Sequence, residues 1–331
     1  MRRRMTDTSF LAHLASWLLL SLLLSWCVAG CWRVANTQRV PFSPDVQVKL
    51  LFTLVWLPFA CAAFSLIINE LPPISRYLVG EHCHESHCGP HDLYIPTSST
   101  LGAGVLAFAI GLLCVTIVMM ARQLYLNKRF HQLLQLASAR SPANSCANFC
   151  NSASGPQADM KQFYQRVDSQ VPSAWCAGLL RPQIYVSQGL VEKLTDNQLN
   201  LVLLHEFNHV RQLDNIKLMC VRYFMILWPK RWRTAYRHAF INGLELRSDM
   251  FALHNAGHYA SLDDLPLCVC QQAGEQGASS ERRERLNRLL TQPQNTLMQY
   301  AVSYISVCVF GMILTLIAVA VGHPLMEFLL Q

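Results

Sequence analysis

Leu199-Asn200-Leu201-Val202-Leu203-Leu204-His205-Glu206-Phe207-Asn208-His209-Val210 reads as one buried helix carrying H-E-x-x-H. Positions i and i+4 of a helix lie on one face, one turn apart. Both imidazoles can therefore grip one metal ion. Glu206 projects close to the same site and can take a proton from metal-bound water. The helix has a start signal as well. Thr195 reads as N-cap, and Gln198 stands three residues later, as in a capping box.

Two histidines do not complete a catalytic zinc site, which needs a third protein ligand and an open position for water. The extended metzincin signature fails here, because Gln212 and Asn215 occupy its glycine and third-histidine positions. The better candidate is Glu245, in Glu245-Leu246-Arg247-Ser248-Asp249. That spacing puts Glu245 and Asp249 on one helix face. Glu245 would bind the metal, and Asp249 would accept a hydrogen bond from a ligand imidazole and fix its tautomer. His238 is the rival third ligand. Asp214, soon after His209, either supports that histidine or caps the next segment, and the sequence does not separate the two.

Of the 331 residues only 14% are charged and 52% are hydrophobic, a balance that points to membrane segments. Four apolar runs, about 10–32, 50–71, 101–121 and 301–322, are each near the ~20 residues a helix needs to cross a bilayer. Trp17, Trp26, Trp32, Trp56 and Tyr300 include candidate interface anchors. Ala103, Ala107 and Gly111 form a small-xxx-small row on the third run, either a helix-docking surface or lipid-facing. The polar stretch between the third and fourth runs carries H-E-x-x-H. The expected organisation is 1–121 for three membrane helices, 122–298 for the working domain, and 299–331 for a fourth membrane helix and short tail.

Charge orients the chain. All of the 27 Lys and Arg except Arg2, Arg3, Arg4 and Arg76 fall in the working domain or the first loop. Arg122, Lys128 and Arg129 directly follow the third run, where the positive-inside effect is strongest. The working domain is therefore expected in the cytosol, with the chain in the bacterial cytoplasmic membrane. Arg2, Arg3 and Arg4 contradict this. With Val28-Ala29-Gly30-Cys31 they resemble a lipoprotein signal peptide with its cleavage box, and on that reading the domain faces outward.

Within the domain, 122–139 reads as a helix leaving the membrane. Residues 141–157, rich in Ser, Asn, Ala, Pro and Gly, read as a linker or surface loop and the most accessible place for self-cleavage. It holds Cys146 and Cys150. Residues 163–171 and 182–187 read as short strands, with Gly178 and Pro182 breaking between them. Residues 216–228, followed by Pro229-Lys230-Arg231-Trp232-Arg233, suggest a segment lying on the inner membrane face, or else a core helix with a solvated basic turn.

The thirteen Cys do not form a secreted framework. Cys27, Cys61, Cys114 and Cys308 lie in apolar runs, where Cys behaves as a small hydrophobe. The loop between the second and third runs is different. His82, Cys83, His84, His87, Cys88 and His91 crowd one short stretch. Thiolate and imidazole ligands suit copper or zinc, so the loop is a candidate sensor. In an oxidising compartment a Cys83–Cys88 disulfide competes with that reading.

The run Gly178-Leu179-Leu180-Arg181-Pro182-Gln183-Ile184-Tyr185-Val186-Ser187-Gln188-Gly189-Leu190, the helix through His205 and His209, the segment 245–249 and the stretch 283–290 together resemble the BlaR/MecR-type membrane metallopeptidases. These are the antirepressor sensors of beta-lactam resistance. The three-plus-one span layout fits them better than the related HtpX-type proteases. The resemblance implies an α+β gluzincin-like zinc metalloprotease domain set among four transmembrane helices. It implies one zinc held by His205, His209 and Glu245, with Glu206 as base. It also implies an edge strand near 182–187 that pairs with substrate backbone. Only 323–331 follow the fourth run, so no penicillin-binding sensor domain with a Ser-x-x-Lys motif is expected there.

The function expected is a zinc-dependent membrane endopeptidase acting in signal-responsive proteolysis of a cytosolic protein or of itself. A transcriptional repressor is one candidate substrate, and direct nucleic-acid binding is not expected. The alternatives are a non-catalytic metal- or partner-binding transducer and an HtpX-like quality-control protease.

Overall fold

The computed structural model describes residues 7–35, 42–69, 71, 83–84, 87–88, 100–139, 164–226, 228–256, 287 and 296–330. The chain opens with α1 (Asp7–Ala35) and α2 (Pro44–Asn69). A short pair, β1 (Cys83–His84) and β2 (His87–Cys88), precedes α3 (Thr100–Ala137). Then come β3 (Ser138–Ala139), β4 (Tyr164–Val167), β5 (Ala174–Ala177) and β6 (Gln183–Ser187). Four helices follow in the second half: α4 (Gln188–Lys193), α5 (Asp196–Arg211), α6 (Asp214–Phe224) and α7 (Lys230–Asn255). The long α8 (Thr296–Leu330) ends the described chain.

Four helices are long and apolar enough to cross a membrane, over His13–Val34, Pro44–Asn69, Gly102–Ala137 and Leu297–Val321. The third spans 36 residues, about 54 Å at the helical rise. A bilayer core is ~30 Å thick, so its last turns must stand clear of the hydrocarbon. The helix expected over 122–139 is thus the continuation of the third span rather than a separate element. Its far end lands on the sheet. Leu134 packs with Ala177 and Tyr185, and His131 Nδ1 lies 3.3 Å from the Tyr185 hydroxyl.

The four-stranded sheet has the order β3-β4-β6-β5. β4 and β6 run parallel, while β3 against β4 and β5 against β6 are antiparallel. This corrects the expected edge. The strand over 182–187 is inside the sheet, and the edge strand beside α5 is β5. Gly178 explains the difference. Its φ of +104° turns the chain from β5 into β6, so the Gly178 break is a hairpin turn and the short apolar run before it is a strand of its own.

α5 forms where the sequence predicts. Thr195 Oγ1 accepts from the Gln198 amide, and Gln198 Oε1 accepts from the Thr195 amide. The helix is buried nearly all round. Leu199, Val202, Leu203, Phe207 and Val210 pack with Ile184 and Val186 of β6 and Ala252 of α7. Burial of each large apolar side chain here contributes about 1.5–3 kcal/mol.

α7 has two working faces. Tyr236, Phe240 and Leu244 join the apolar cluster of the spans, with Leu20 and Leu24 of α1 and Val48 and Leu51 of α2. The Tyr236 hydroxyl donates to the Leu51 carbonyl. Just before α7, buried Trp228 donates to Ser25 of α1. The 216–228 segment packs against the spans. Val221, Met225 and Trp228 are buried against the spans. Trp17 likewise turns inward and donates to the Phe59 carbonyl, whereas Trp26 and Trp56 stay exposed. Ala103, Ala107 and Gly111 are all exposed, so among the described residues the small-residue row packs no helix.

The linker at 141–157, with Cys146 and Cys150, lies outside the described residues, as do His82, His91 and all of 283–290 except Asn287. β1 and β2 pair antiparallel with Cys83 opposite Cys88 and His84 opposite His87. That register brings like with like in both rungs.

Gly189 marks a close crossing of the chain. A Cβ there would stand 2.1 Å from the Gln170 carbonyl oxygen, a backbone atom that cannot swing aside. Gly189→Ala should destabilise the chain by more than about 3 kcal/mol, seen as a large drop in melting temperature in detergent. An unchanged melt would show that the 168–173 loop does not cross α4 in this way.

Candidate metal centre

α5 presents His205 and His209 on one face, one turn apart, with their Nε2 atoms 3.1 Å from each other. Glu245 reaches in from α7. Its carboxylate oxygens lie 3.5 Å from His205 Nε2 and 3.7 Å from His209 Nε2. Among the described residues these three form the group able to hold a metal ion. The spacing suits zinc. Donors at 2.0–2.1 Å in a tetrahedral shell stand roughly 3.3–3.4 Å from one another. The ligand set of two imidazoles and one carboxylate leaves a fourth position for water.

The outer nitrogens are committed elsewhere. His205 Nδ1 donates to Asp249 Oδ1 at 2.9 Å. His209 Nδ1 donates to Asp214 Oδ2 at 2.8 Å. Both rings therefore carry their proton on Nδ1 and point an Nε2 lone pair inward. Two bare lone pairs at 3.1 Å repel unless a cation lies between them. The arrangement itself thus favours an ion.

Asp214 supports His209 and is not a cap. It is the first residue of α6, whose N-cap makes no side-chain hydrogen bond. The turn before it is strained. Leu213 has φ +54°, the left-handed region that a non-glycine residue enters at a cost of about 1–3 kcal/mol. The turn brings Asp214 back beside His209. Burial would push the Asp214 carboxyl up, but hydrogen bonds from His209 and Arg247 outweigh it and hold the group below its usual range. Arg247 Nη2 bonds both Asp214 oxygens, at 2.6 and 2.7 Å. Lys217 Nζ adds a contact at 3.4 Å.

Glu206 lies between the ligand helix and the edge strand. Burial pushes its carboxyl up, while the two histidines draw it down and Glu245 pushes it up again. The Cys176 amide of β5 donates to it. The Cys176 thiol is pushed far up by burial and by the Glu206 charge, which favours the protonated form. Asn215 holds the strand from the other side, donating to the carbonyls of Cys176 and Gly178. A cleft of about 250 Å³ opens beside β5, lined among others by Trp175, Gly178, Arg222 and Arg237.

The structure brings together His205, Glu206, His209, Asp214, Glu245 and Asp249. His238 is not in the group. It is exposed on α7 and its Nδ1 lies 3.2 Å from Asn242 Nδ2. Sequence reading missed Arg247, Asn208 and Ser248. Asn208 donates to Ser248 Oγ at 3.0 Å, and that hydroxyl stands 3.4 Å from His209 Nδ1. Arg247 and Ser248 sit inside the quoted 245–249 segment, and a charged or polar residue between two helix-face carboxylates is the signal that was there to use.

Residues 88–237 match the model of a family described as BlaR1 peptidase M56. The matched stretch includes both histidines and Glu206 and ends before Glu245. No curated protein matches the chain.

Asp214→Asn and Asp249→Asn should each weaken zinc binding about 10- to 100-fold without unfolding the chain. Chelator competition on the purified protein measures this. Wild-type affinity in both variants would mean that neither carboxylate orients a ligand.

Proposed function

We propose that this chain, a member of the BlaR1 peptidase M56 family, is a membrane-embedded zinc endopeptidase whose active centre is His205, His209, Glu245 and Glu206. The observation that carries the reading is the convergence of both Nε2 atoms and the Glu245 carboxylate on one point, with Glu206 buried beside it. We read the sheet and α5–α7 as a gluzincin-like unit on that basis.

Zinc held by these ligands would polarise the scissile carbonyl and make an attacking water acidic. Glu206 takes the proton from that water and returns it to the leaving amine. Its raised affinity for a proton suits both steps. Asp249 and Asp214 keep the imidazoles in the right tautomer through the cycle. We place the substrate chain along the edge strand β5, whose Cys176 amide donates to the base.

We infer that the working domain faces the cytosol of a bacterial cell, a reading that the basic residues after the third span support. The packing of α1 supports a retained first span over a cleaved leader, because its Ala15, Leu20, Leu24, Val28 and Ala29 are buried in the helix cluster. The substrate is a cytosolic protein or the chain itself, with a repressor as the candidate that the family suggests. The pairing of Cys83 with Cys88 and of His84 with His87 keeps the β1–β2 loop as a candidate sensor for a soft metal ion or for redox state.

Glu206→Gln should keep stoichiometric zinc and lose proteolysis by at least about 100-fold. Metal analysis and a protease assay on the purified chain, with a chelator control, measure both. Full activity in the variant would remove Glu206 as base; a zinc-loaded wild type without proteolysis would favour the non-catalytic transducer. Comparing the proteomes of wild-type and Glu206→Gln cells then separates roles. One accumulating target indicates signalling, and many indicate quality control. A reporter fused after 331 should be active outside the cell; an inward reporter would reverse the orientation.

A further inference from the structure

Arg247 joins the metal centre to the spans. Its Nη2 is spent on Asp214, while its Nε and Nη1 are buried and make no hydrogen bond among the described residues. Nη1 nonetheless lies 3.8 Å from Asp45 Oδ1. Asp45 stands in the first turn of α2, outside the peptidase unit. Its other oxygen accepts from the Tyr300 hydroxyl of α8 and pairs with Lys49 Nζ at 3.0 Å. Lys49 also donates to the Tyr300 hydroxyl at 2.9 Å and lies over its ring. Next to them, the Ser43 amide donates to Gln299 Oε1 at 2.8 Å. One carboxylate thus touches the second span, the fourth span and the guanidinium that fixes Asp214.

Unbonded donors on a buried guanidinium are costly. An acceptor that moves relative to them therefore has a large effect on where the head group sits. From 3.8 Å, an approach of roughly 1 Å would complete a hydrogen bond, and a retreat of the same size would leave Arg247 held by Asp214 alone. Either movement shifts Asp214, which grips the His209 ring at 2.8 Å.

We propose that Asp45 is a positioning residue of the metal centre, through which the relative placement of α2 and α8 is set against His209 by way of Arg247 and Asp214. This rests on the peptidase reading above and adds a route by which the spans control the site. Asp45 touches neither metal nor substrate. It acts on ligand orientation, so a stimulus that slides the fourth span against the second is read as a change in metal affinity and in activity.

The test uses the purified full chain in detergent, with Asp45→Asn, Asp45→Glu and Tyr300→Phe. Zinc retention is read by chelator competition, the ligand field by the absorption of the cobalt-substituted protein, and the fold by circular dichroism. Asp45→Asn is expected to weaken zinc retention about 3- to 10-fold, less than loss of a direct ligand partner, and to shift the cobalt spectrum. Asp45→Glu should restore most of both. Tyr300→Phe should give a smaller loss in the same direction. A folded Asp45→Asn with wild-type affinity and spectrum overturns the proposal. If that variant does not fold, an unchanged cobalt spectrum in Tyr300→Phe overturns it instead. A wild-type chain that takes up neither metal overturns the peptidase reading itself, and the premise of this route with it.

Discussion

Two imidazole nitrogens face each other at 3.1 Å, and with both Nδ1 protons given to carboxylates the neutral rings turn bare lone pairs on one another. Everything around the site follows from that constraint. The rings cannot turn away, because Asp249 and Asp214 hold their far sides. The carboxylates cannot move easily either, since Asp214 is clasped by a buried arginine and Asp249 sits on a helix wedged between α5 and the spans. Repulsion between the inward lone pairs is therefore built into the fold and is relieved by a cation.

The helix α7 makes this constraint a property of the whole molecule. Tyr236, Phe240 and Leu244 face the spans, while Glu245, Asp249 and Ala252 face α5. At Gly243 the approach to α2 is close; a Cβ would stand 3.0 Å from a Val48 methyl. A third ligand carried on a helix so tightly docked cannot be described apart from the membrane helices. That separates this site from one on a freely tethered domain. It also explains why Trp228, just before α7, is packed inward: it finds a hydroxyl partner on α1 for its indole N–H.

Local signals made much of this legible. The period of α5, its capping box and the i, i+4 histidines needed no tertiary information. The Glu245 and Asp249 pair was readable because one helix face carries both. What was not legible depends on contacts between distant segments. The edge strand was misplaced because four residues of β5 give a weak pattern, and only the sheet order shows which strand is outermost. Asp214 was ambiguous because its role is set by the left-handed Leu213, a conformation that nothing in a leucine announces. Asp45 was invisible for the same reason. It lies about 200 residues from its partner Arg247, in what reads as an ordinary acidic helix start.

Charge balance gives the site its last constraint. Glu206, Asp214, Glu245 and Asp249 bring four acidic groups into one buried region, against Arg247 and Lys217 as the neighbouring cations. Burial and the Arg247 charge lower the affinity of Lys217 for its proton, so it offsets the acids less firmly than the arginine does. A divalent ion would supply the two positive charges still needed. Without it the region must take up protons or loosen, and Glu206 is already pushed toward protonation. Metal occupancy would thus couple to the rigidity of α5 against α7. The same four acids that would make the centre selective for a divalent cation would make its packing costly without one.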